Sequence, residues 1–223
     1  MNYQPNAPFG FFPPPAVKRK AFFSFHYDDI MRVNNARMTG TLKNPAASAM
    51  RTFYDGSLWE SRKLQGLEAL KQLIRDGVKQ TSAVCVLIGT HTWSRRWVRY
   101  EIARAVIDNR GLLGVHLNSI NHHQRLCPCP LGPNPFDDLA VGKVQPSGFY
   151  QPPVYYLFVR NGLYWQRYQD YTQPVSLPPY LPDCATGSFT PLSYGVRVYD
   201  FMADNGPQNL GSWIDHAAQA VGR

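Results

Sequence analysis

Residues 80–102 read QTSAVCVLIGTHTWSRRWVRYEI. Within this stretch, Ala83–Ile88 is apolar at every position, as expected for a central strand of a parallel sheet that is covered on both faces. The spacing predicts a helix over residues 95–109, with Ser94 as its N-cap and Gly111 as its end. A buried strand followed directly by a helix is the repeating unit of α/β folds.

The flanking sequence continues the alternation of strands and helices. Ala21–Phe25 predicts a first strand, and residues 112–117 and 196–199 predict further strands. Helices are predicted over residues 31–38, over a leucine-rich stretch that begins at the capping box Ser57–Glu60 and ends at Gly77, and over residues 213–221. The last helix is expected to be capped by Ser212 and to turn Trp213, Ala217 and Ala220 inward. This order predicts an open, mainly parallel α/β sheet whose ligand crevice lies at the carboxyl ends of the strands.

Composition excludes several classes of protein. The 223-residue chain is 44% hydrophobic and 17% charged, which argues against global disorder. No apolar run approaches the roughly 20 residues of a membrane-spanning helix, and residues 1–15 do not resemble a signal peptide. Four cysteines are too few for a disulfide scaffold. We therefore expect a cytoplasmic protein with reduced thiols.

Proline content divides the chain. Residues 1–17 contain five prolines and predict an extended arm, whereas residues 18–117 contain one and form the expected core. Residues 118–193 contain twelve prolines and many tyrosines, and are interpreted as an insertion within a single domain that spans residues 18–223. Residues 194–223 are predicted to close that domain with a strand and a helix.

Positive charge is concentrated in one half of the sequence. Residues 18–110 contain seventeen lysines and arginines against eight acidic residues. Such an excess attracts anions, but it does not by itself distinguish a nucleotide from a nucleic acid or an acidic protein.

Three stretches together resemble one known family. They are KAFFSFHYDD at residues 20–29, DGSLWE at residues 55–60, and the stretch at residues 80–102 quoted above. Together they resemble the TIR-like (Toll/interleukin-receptor-like) domain of bacterial Thoeris anti-phage systems, of the ThsB type. The resemblance covers roughly residues 18–120 and extends to the closing segment near residues 199–221. It implies a flavodoxin-like sheet and cleavage of NAD at its nicotinamide–ribose bond, with production of a cyclic ADP-ribose-type signal that activates a separate effector.

The resemblance also implies roles for individual residues. Glu101 ends the motif Trp97-Val-Arg-Tyr-Glu101 and is expected to be the catalytic carboxylate. NAD is then the substrate, and neither a resident cofactor nor a metal is expected. The residues expected to bind the substrate are Phe25, His26, Asp28, Asn34, Arg37, Asp55 and Trp97.

Taken without the resemblance, each of these residues has an ordinary structural interpretation. A helical glutamate is usually solvated, a histidine after a strand can satisfy nearby backbone groups, and Asp28 or Asp29 can cap the next helix. Arg37 can be an exposed surface arginine, and Trp97 can simply pack against its own helix. The cations Arg95, Arg96 and Arg99 can attract a dinucleotide or form a solvated helix face.

One carboxylate can be sufficient for the implied reaction. Nicotinamide leaves NAD as a neutral base, so no general acid is needed, and the transition state places positive charge on the ribose. A fixed carboxylate can stabilise that charge. For ring closure, the proline-rich region is a candidate cover, with possible walls at Tyr155, Tyr156, Tyr164 and Trp165.

Other functions remain open at the level of sequence. A zinc site formed by His122, His123, Cys127 and Cys129 does not follow a standard spacing. A non-catalytic module that acts through self-association is the main alternative to an enzyme, and homo-oligomers and a phage-derived trigger are compatible with either. A nucleic-acid-binding protein ranks last, because the basic residues are scattered and no recognised motif is present.

Overall fold

The computed structural model describes residues 19–38, 66–121, 126–147 and 151–223. Within these ranges the strands are β1 (Ala21–Phe25), β2 (Ala83–Ile88), β3 (Gly111–His116), β4 (Leu139–Val144), β5 (Val154–Asn161), β6 (Tyr164–Arg167), β7 (Phe189–Pro191) and β8 (Arg197–Asp200). The α-helices are α1 (Ile30–Met38), α2 (Leu67–Lys79), α3 (Arg96–Ile107) and α4 (Gly206–Gln219). The N-terminal arm, the capping box at Ser57–Glu60, Asp55 and the pair His122–His123 lie outside the described residues.

A parallel sheet with the order β1-β2-β3-β8 forms the centre of the fold. In its register, Ala21 lies opposite Ala83, and Ala83 lies opposite Gly111. Helices cover both faces of this sheet, so the predicted parallel α/β architecture is confirmed. Because the four strands run in the same direction, the segments that follow them lie along one edge of the sheet.

Strand β2 separates two hydrophobic cores. Val84, Val86 and Ile88 pack with α2 and α3 on one face. The alternate residues of the same strand, starting at Ala83, pack with α1 and α4 on the other. All six β2 side chains are buried, as predicted from the unbroken apolar run.

The described part of the proline-rich region contains a second sheet. Its antiparallel strands have the order β6-β5-β4-β7. The inward side chains of β4 and β5, including Val141 and Leu157, join the same core that α2 and α3 form with the parallel sheet.

Three predicted helix ends are wrong. Helix α2 continues past Gly77 to Lys79, because Gly77 and Val78 are buried against the core and packing outweighs the low helix propensity of glycine. Ser94 belongs to a short 3-10 turn and donates to the His91 carbonyl, so Arg95 is the N-cap residue of α3.

Helix α4 begins at Gly206, well before the predicted Ser212 cap, because Pro207 is accommodated in the first turn. Trp213 is buried and Ala217 packs against the same core, as predicted, whereas Ala220 is exposed and Ala218 is fully buried instead. No helix of the described ranges is long and apolar enough to cross a lipid bilayer.

The start of β3 lies directly against the backbone of α4. A Cβ atom at Gly111 would lie 2.3 Å from the Ala217 carbonyl oxygen, so Gly111→Ala should force the helix away from the sheet. We expect a loss of about 1–3 kcal/mol in the free energy of unfolding, measured by urea denaturation. Gly211→Ala is the matched control: its Cβ would meet nothing within 4 Å, and it should stabilise α4 by about 0.5–1 kcal/mol. Equal effects of the two substitutions would contradict this close contact.

Candidate active site

The segments that follow β1, β2 and β3 come together at one edge of the parallel sheet. Part of the second-sheet region, which we call the cover segment (residues 129–132), lies on this edge. The Pro130 carbonyl oxygen accepts hydrogen bonds from Thr90 Oγ1 at 3.0 Å and from Asn118 Nδ2 at 2.7 Å. Gly132 is so close to the end of β2 that a Cβ atom there would lie 2.1 Å from the Gly89 carbonyl oxygen. The proline-rich region is therefore fixed on the strand ends at this point.

Glu101 projects from α3 toward β1 and is only 6% exposed. Burial raises the pKa of its carboxyl group to about 8, and the Ser24 hydroxyl lowers it by a smaller amount. Ser24 is itself 1% exposed, and its hydroxyl has no well-aligned hydrogen bond within the described residues. The contact between the two groups is therefore loose, and Glu101 is protonated at neutral pH in the free protein.

A polar cluster lies just beyond the end of β1. His26 Nδ1 is 3.4 Å from an Asp28 carboxylate oxygen, and Arg95 Nη2 is 3.9 Å from the same oxygen. Burial lowers the pKa of His26 and the positive charge of Arg95 lowers it further, whereas the carboxylates of Asp28 and Asp29 raise it by smaller amounts than burial lowers it. The imidazole is therefore neutral at pH 7. Since Ser24 and His26 are two residues apart, this cluster and Glu101 lie at the same end of one strand.

A buried ion pair between Asp29 and Arg32 lies next to this polar cluster. Arg32 Nη1 donates to Asp29 Oδ1 at 2.7 Å, and both residues are at most 6% exposed. The Asp29 carboxylate also packs against Gly89, where a Cβ atom would lie 1.9 Å from Asp29 Oδ2. Burial raises the pKa of Asp29, and the Arg32 charge lowers it by a smaller amount. Asp29 directly precedes α1, and the ion pair with Arg32 in the first turn holds its carboxylate there.

The remaining predicted residues are not all near Glu101. Phe25 is buried on the α1–α4 face of the sheet, opposite to the face that carries Ser24. Trp97 is half-buried one turn before Glu101, with its ring 6.1 Å from that of Tyr100. Asn34 is half-buried on α1. The side chain of Arg37 lies outside the described residues, as does the whole of Asp55.

Three of the four aromatic residues expected as walls of a cover contact other residues of the second-sheet region, and the fourth is exposed. Tyr155 donates to Asp183 at 2.8 Å, and the Arg167 guanidinium lies 3.4 Å from the centre of the Tyr156 ring. Trp165 packs against Phe189, and Tyr164 is 75% exposed. The cover segment, rather than these aromatic residues, contacts the ends of the parallel strands.

Sequence reasoning missed Ser24 as the partner of Glu101. A signal was available, because a serine in the otherwise apolar run AFFSF occupies a position that alternation places on a buried face. A buried hydroxyl next to a helix indicates that a polar group from the helix faces it. No local sequence pattern predicts the ion pair between Arg95 and Asp28.

Comparison with known proteins agrees with this architecture. Residues 22–122 match the family described as "Thoeris protein ThsB, TIR-like domain". A Bacillus cereus (strain MSX-D12) protein named "Putative cyclic ADP-D-ribose synthase ThsB1" is 38% identical over 202 residues, which cover 89% of this chain and all of that protein. The chain belongs to the ThsB family.

The matched ThsB domain contains both β1 and α3, and with them Ser24, His26, Arg95 and Glu101. The likeness to the Bacillus protein extends further and includes the second sheet. A cavity between β8 and α4 has none of these candidate residues in its lining. We assign the candidate active site to the strand ends because the buried titratable carboxyl group lies there.

The raised pKa of Glu101 has a consequence for stability. Between about pH 4.5 and 8, the folded state keeps a proton that the unfolded state has lost, so the free energy of unfolding falls as the pH rises. Glu101→Gln removes this titration. We compare the melting temperatures of the variant and the natural protein at each pH. The melting temperature of the variant minus that of the natural protein should increase by roughly 5–10 °C as the pH rises from 5 to 8.5.

Glu68→Gln is the matched control, because the Glu68 side chain is 72% exposed on α2. Its melting temperature should follow that of the natural protein at every pH. A difference between Glu101→Gln and the natural protein that stays constant with pH would show that Glu101 does not hold the proton.

Proposed function

We propose that this ThsB protein cleaves the nicotinamide–ribose bond of NAD, with Glu101 as the catalytic carboxylate. The observation that carries the proposal is the buried Glu101 carboxyl group, which faces Ser24 near the carboxyl end of β1, the same strand end at which the polar cluster lies. The name of the Bacillus relative, which refers to cyclic ADP-D-ribose synthesis, supports the same substrate, since NAD contains the ADP-ribose unit.

The environment of Glu101 suits a reaction that develops positive charge. NAD brings a cationic pyridinium ring, and a positive charge beside a carboxyl group favours its ionised form. Bound substrate would thus convert Glu101 from acid to carboxylate, with the proton released to solvent. The carboxylate then stabilises the positive charge that forms on the ribose as neutral nicotinamide leaves. In a buried site this stabilisation is stronger than in water.

The polar cluster at the rim suits the rest of the dinucleotide. Arg95 is half-exposed and lies at the N-terminus of α3, whose first turn contains no acidic residue. Its guanidinium and the helix N-terminus together favour an anion such as a pyrophosphate. His26, as a neutral imidazole, can donate one hydrogen bond to a ribose hydroxyl or a phosphate oxygen. The scheme uses NAD as substrate and requires neither a resident cofactor nor a metal.

Formation of a cyclic product is the finer part of the proposal. Ring closure requires a nucleophile from the adenine base to reach the ribose before water does. The cover segment is held on the strand ends by Thr90 and Asn118, so it is placed to limit access of water. The released product would act on a separate effector protein, and a phage-derived trigger or self-association would switch on the enzyme.

Turnover of NAD by the purified protein is the direct test. Free nicotinamide should appear on incubation with NAD, with or without lysate from phage-infected cells, and Glu101→Gln should reduce the rate about 10³-fold because it removes the charge that stabilises the transition state. Chromatography with mass spectrometry measures nicotinamide and separates a cyclic product from linear ADP-ribose.

Glu68→Gln, the exposed helical glutamate, should retain the full rate. Equal rates for Glu101→Gln and the natural protein would overturn the catalytic role of Glu101. Absence of turnover under both conditions would favour the non-catalytic interaction module. A linear product alone would remove the cyclisation step but keep the cleavage.

The rate should also depend on pH in a defined way. Since the free enzyme must lose the Glu101 proton, kcat/KM for NAD should rise with pH and reach half its maximum near pH 8, the value to which burial raises the Glu101 pKa, before it approaches a plateau about one pH unit higher. Initial rates at low NAD concentration between pH 5.5 and 9 would show this. A flat profile, or one that falls over this range, would contradict the assigned ionisation.

A further inference from the structure

The cavity between β8 and α4 lies at the opposite edge of the parallel sheet from β1. Its volume is about 660 Å³, within the range of small-molecule sites. Its apolar walls come from the start of β3, at Leu112 and Leu113, and from α4, at Ala217 and Ala220. Glu101 faces β1 from α3, so a ligand in this cavity would not contact the candidate active site.

A parallel aromatic pair forms one wall of the cavity. The rings of Tyr199 and Trp213 are stacked with centroids 4.1 Å apart and an interplanar angle of 2°. Trp213 is 7% exposed, whereas Tyr199, on the terminal strand, is only partly buried. A flat heteroaromatic ring bound against Tyr199 would extend the stack, which is a favourable arrangement for a nucleobase.

The lining of the cavity contains one arginine and one imidazole. Arg197, from β8, and His216, from α4, both line it and are both exposed. The lining contains no carboxylate. No ion pair of the described residues involves Arg197. An arginine without an acidic partner, next to an imidazole, is suited to a phosphate group.

Tyr180 also lines the cavity, but its hydroxyl is buried and has essentially no accessible surface. Tyr180 therefore forms part of the wall. The cavity thus combines a stacking surface with a cation.

We propose that this cavity binds a purine mononucleotide, with the base stacked on Tyr199 and the phosphate held by Arg197 and His216. The site is independent of the proposed NAD cleavage, because it shares no residue with the candidate active site. A nucleotide bound there would contact both α4 and the terminal strand β8.

Isothermal titration calorimetry with AMP on the full chain tests the proposal. Adenosine lacks the phosphate and ribose 5-phosphate lacks the base, so each should bind at least tenfold more weakly than AMP. Arg197→Ala should weaken AMP binding about tenfold or more, because it removes the phosphate contact. Arg160→Ala is the matched control, because Arg160 is also exposed but lies on β5 and does not line the cavity.

A second variant fills the cavity instead of changing its charge. Ala220 is exposed at the lining, so Ala220→Trp should leave the fold intact and block AMP; melting temperatures of all variants would verify folding. The proposal is overturned by no detectable binding at millimolar AMP, or by binding that both Arg197→Ala and Ala220→Trp leave unchanged. Loss of AMP binding in Trp97→Ala, with Arg197→Ala unaffected, would place the nucleotide at the Glu101 site and would also overturn it.

Discussion

The burial of β2 on both faces is the constraint on which the rest of the structure depends. Its six side chains alternate between a core made with α2 and α3 and a core made with α1 and α4. A shift of one residue in the register with β1 would exchange the two sets and place Ser24 on the wrong face. The register also decides which residues follow the strand ends. The positions of Ser24, His26, Thr90 and Asn118 are therefore consequences of packing in the centre of the sheet.

The same packing forms the candidate site and also lowers the stability of the folded protein. Helix α3 buries its apolar side chains against the sheet, and the Glu101 side chain is buried together with them. Burial of a carboxyl group favours its neutral form, and the loose contact with Ser24 compensates only in part. A folded protein that keeps such a group lowers its own stability near neutral pH, which is typical of a site that is used for chemistry. A cationic substrate would reverse this preference and recover the negative charge.

The second sheet lies in the proline-rich region, for which the sequence predicted no strands or helices. Its inner side chains extend the core of α2 and α3, so it is part of the same packed body rather than an appendage. Its outer side chains contact one another, as in the cation–π contact of Arg167 with Tyr156. One short stretch, the cover segment, crosses to the ends of the parallel strands. The prolines that interrupt helical and strand patterns in the sequence lie mainly in the connections that allow this path.

The sequence by itself determined the parallel strands, the family and the position of Glu101 on a helix that follows the central strand. These features depend on local patterns: an unbroken apolar run predicts a strand buried on both faces, and a short motif identifies a family. Helix ends such as those at Gly77 and Ser212 were predicted wrongly, because buried neighbours outweighed the local preference for a stop or a cap. Only the tertiary structure decided that Ser24 faces Glu101, that Arg95 approaches Asp28 and that Phe25 points away from the site. The physical reason is that these relations join residues far apart in the chain, or on opposite faces of a strand, and they are set by the packing of helices on the sheet rather than by any local preference.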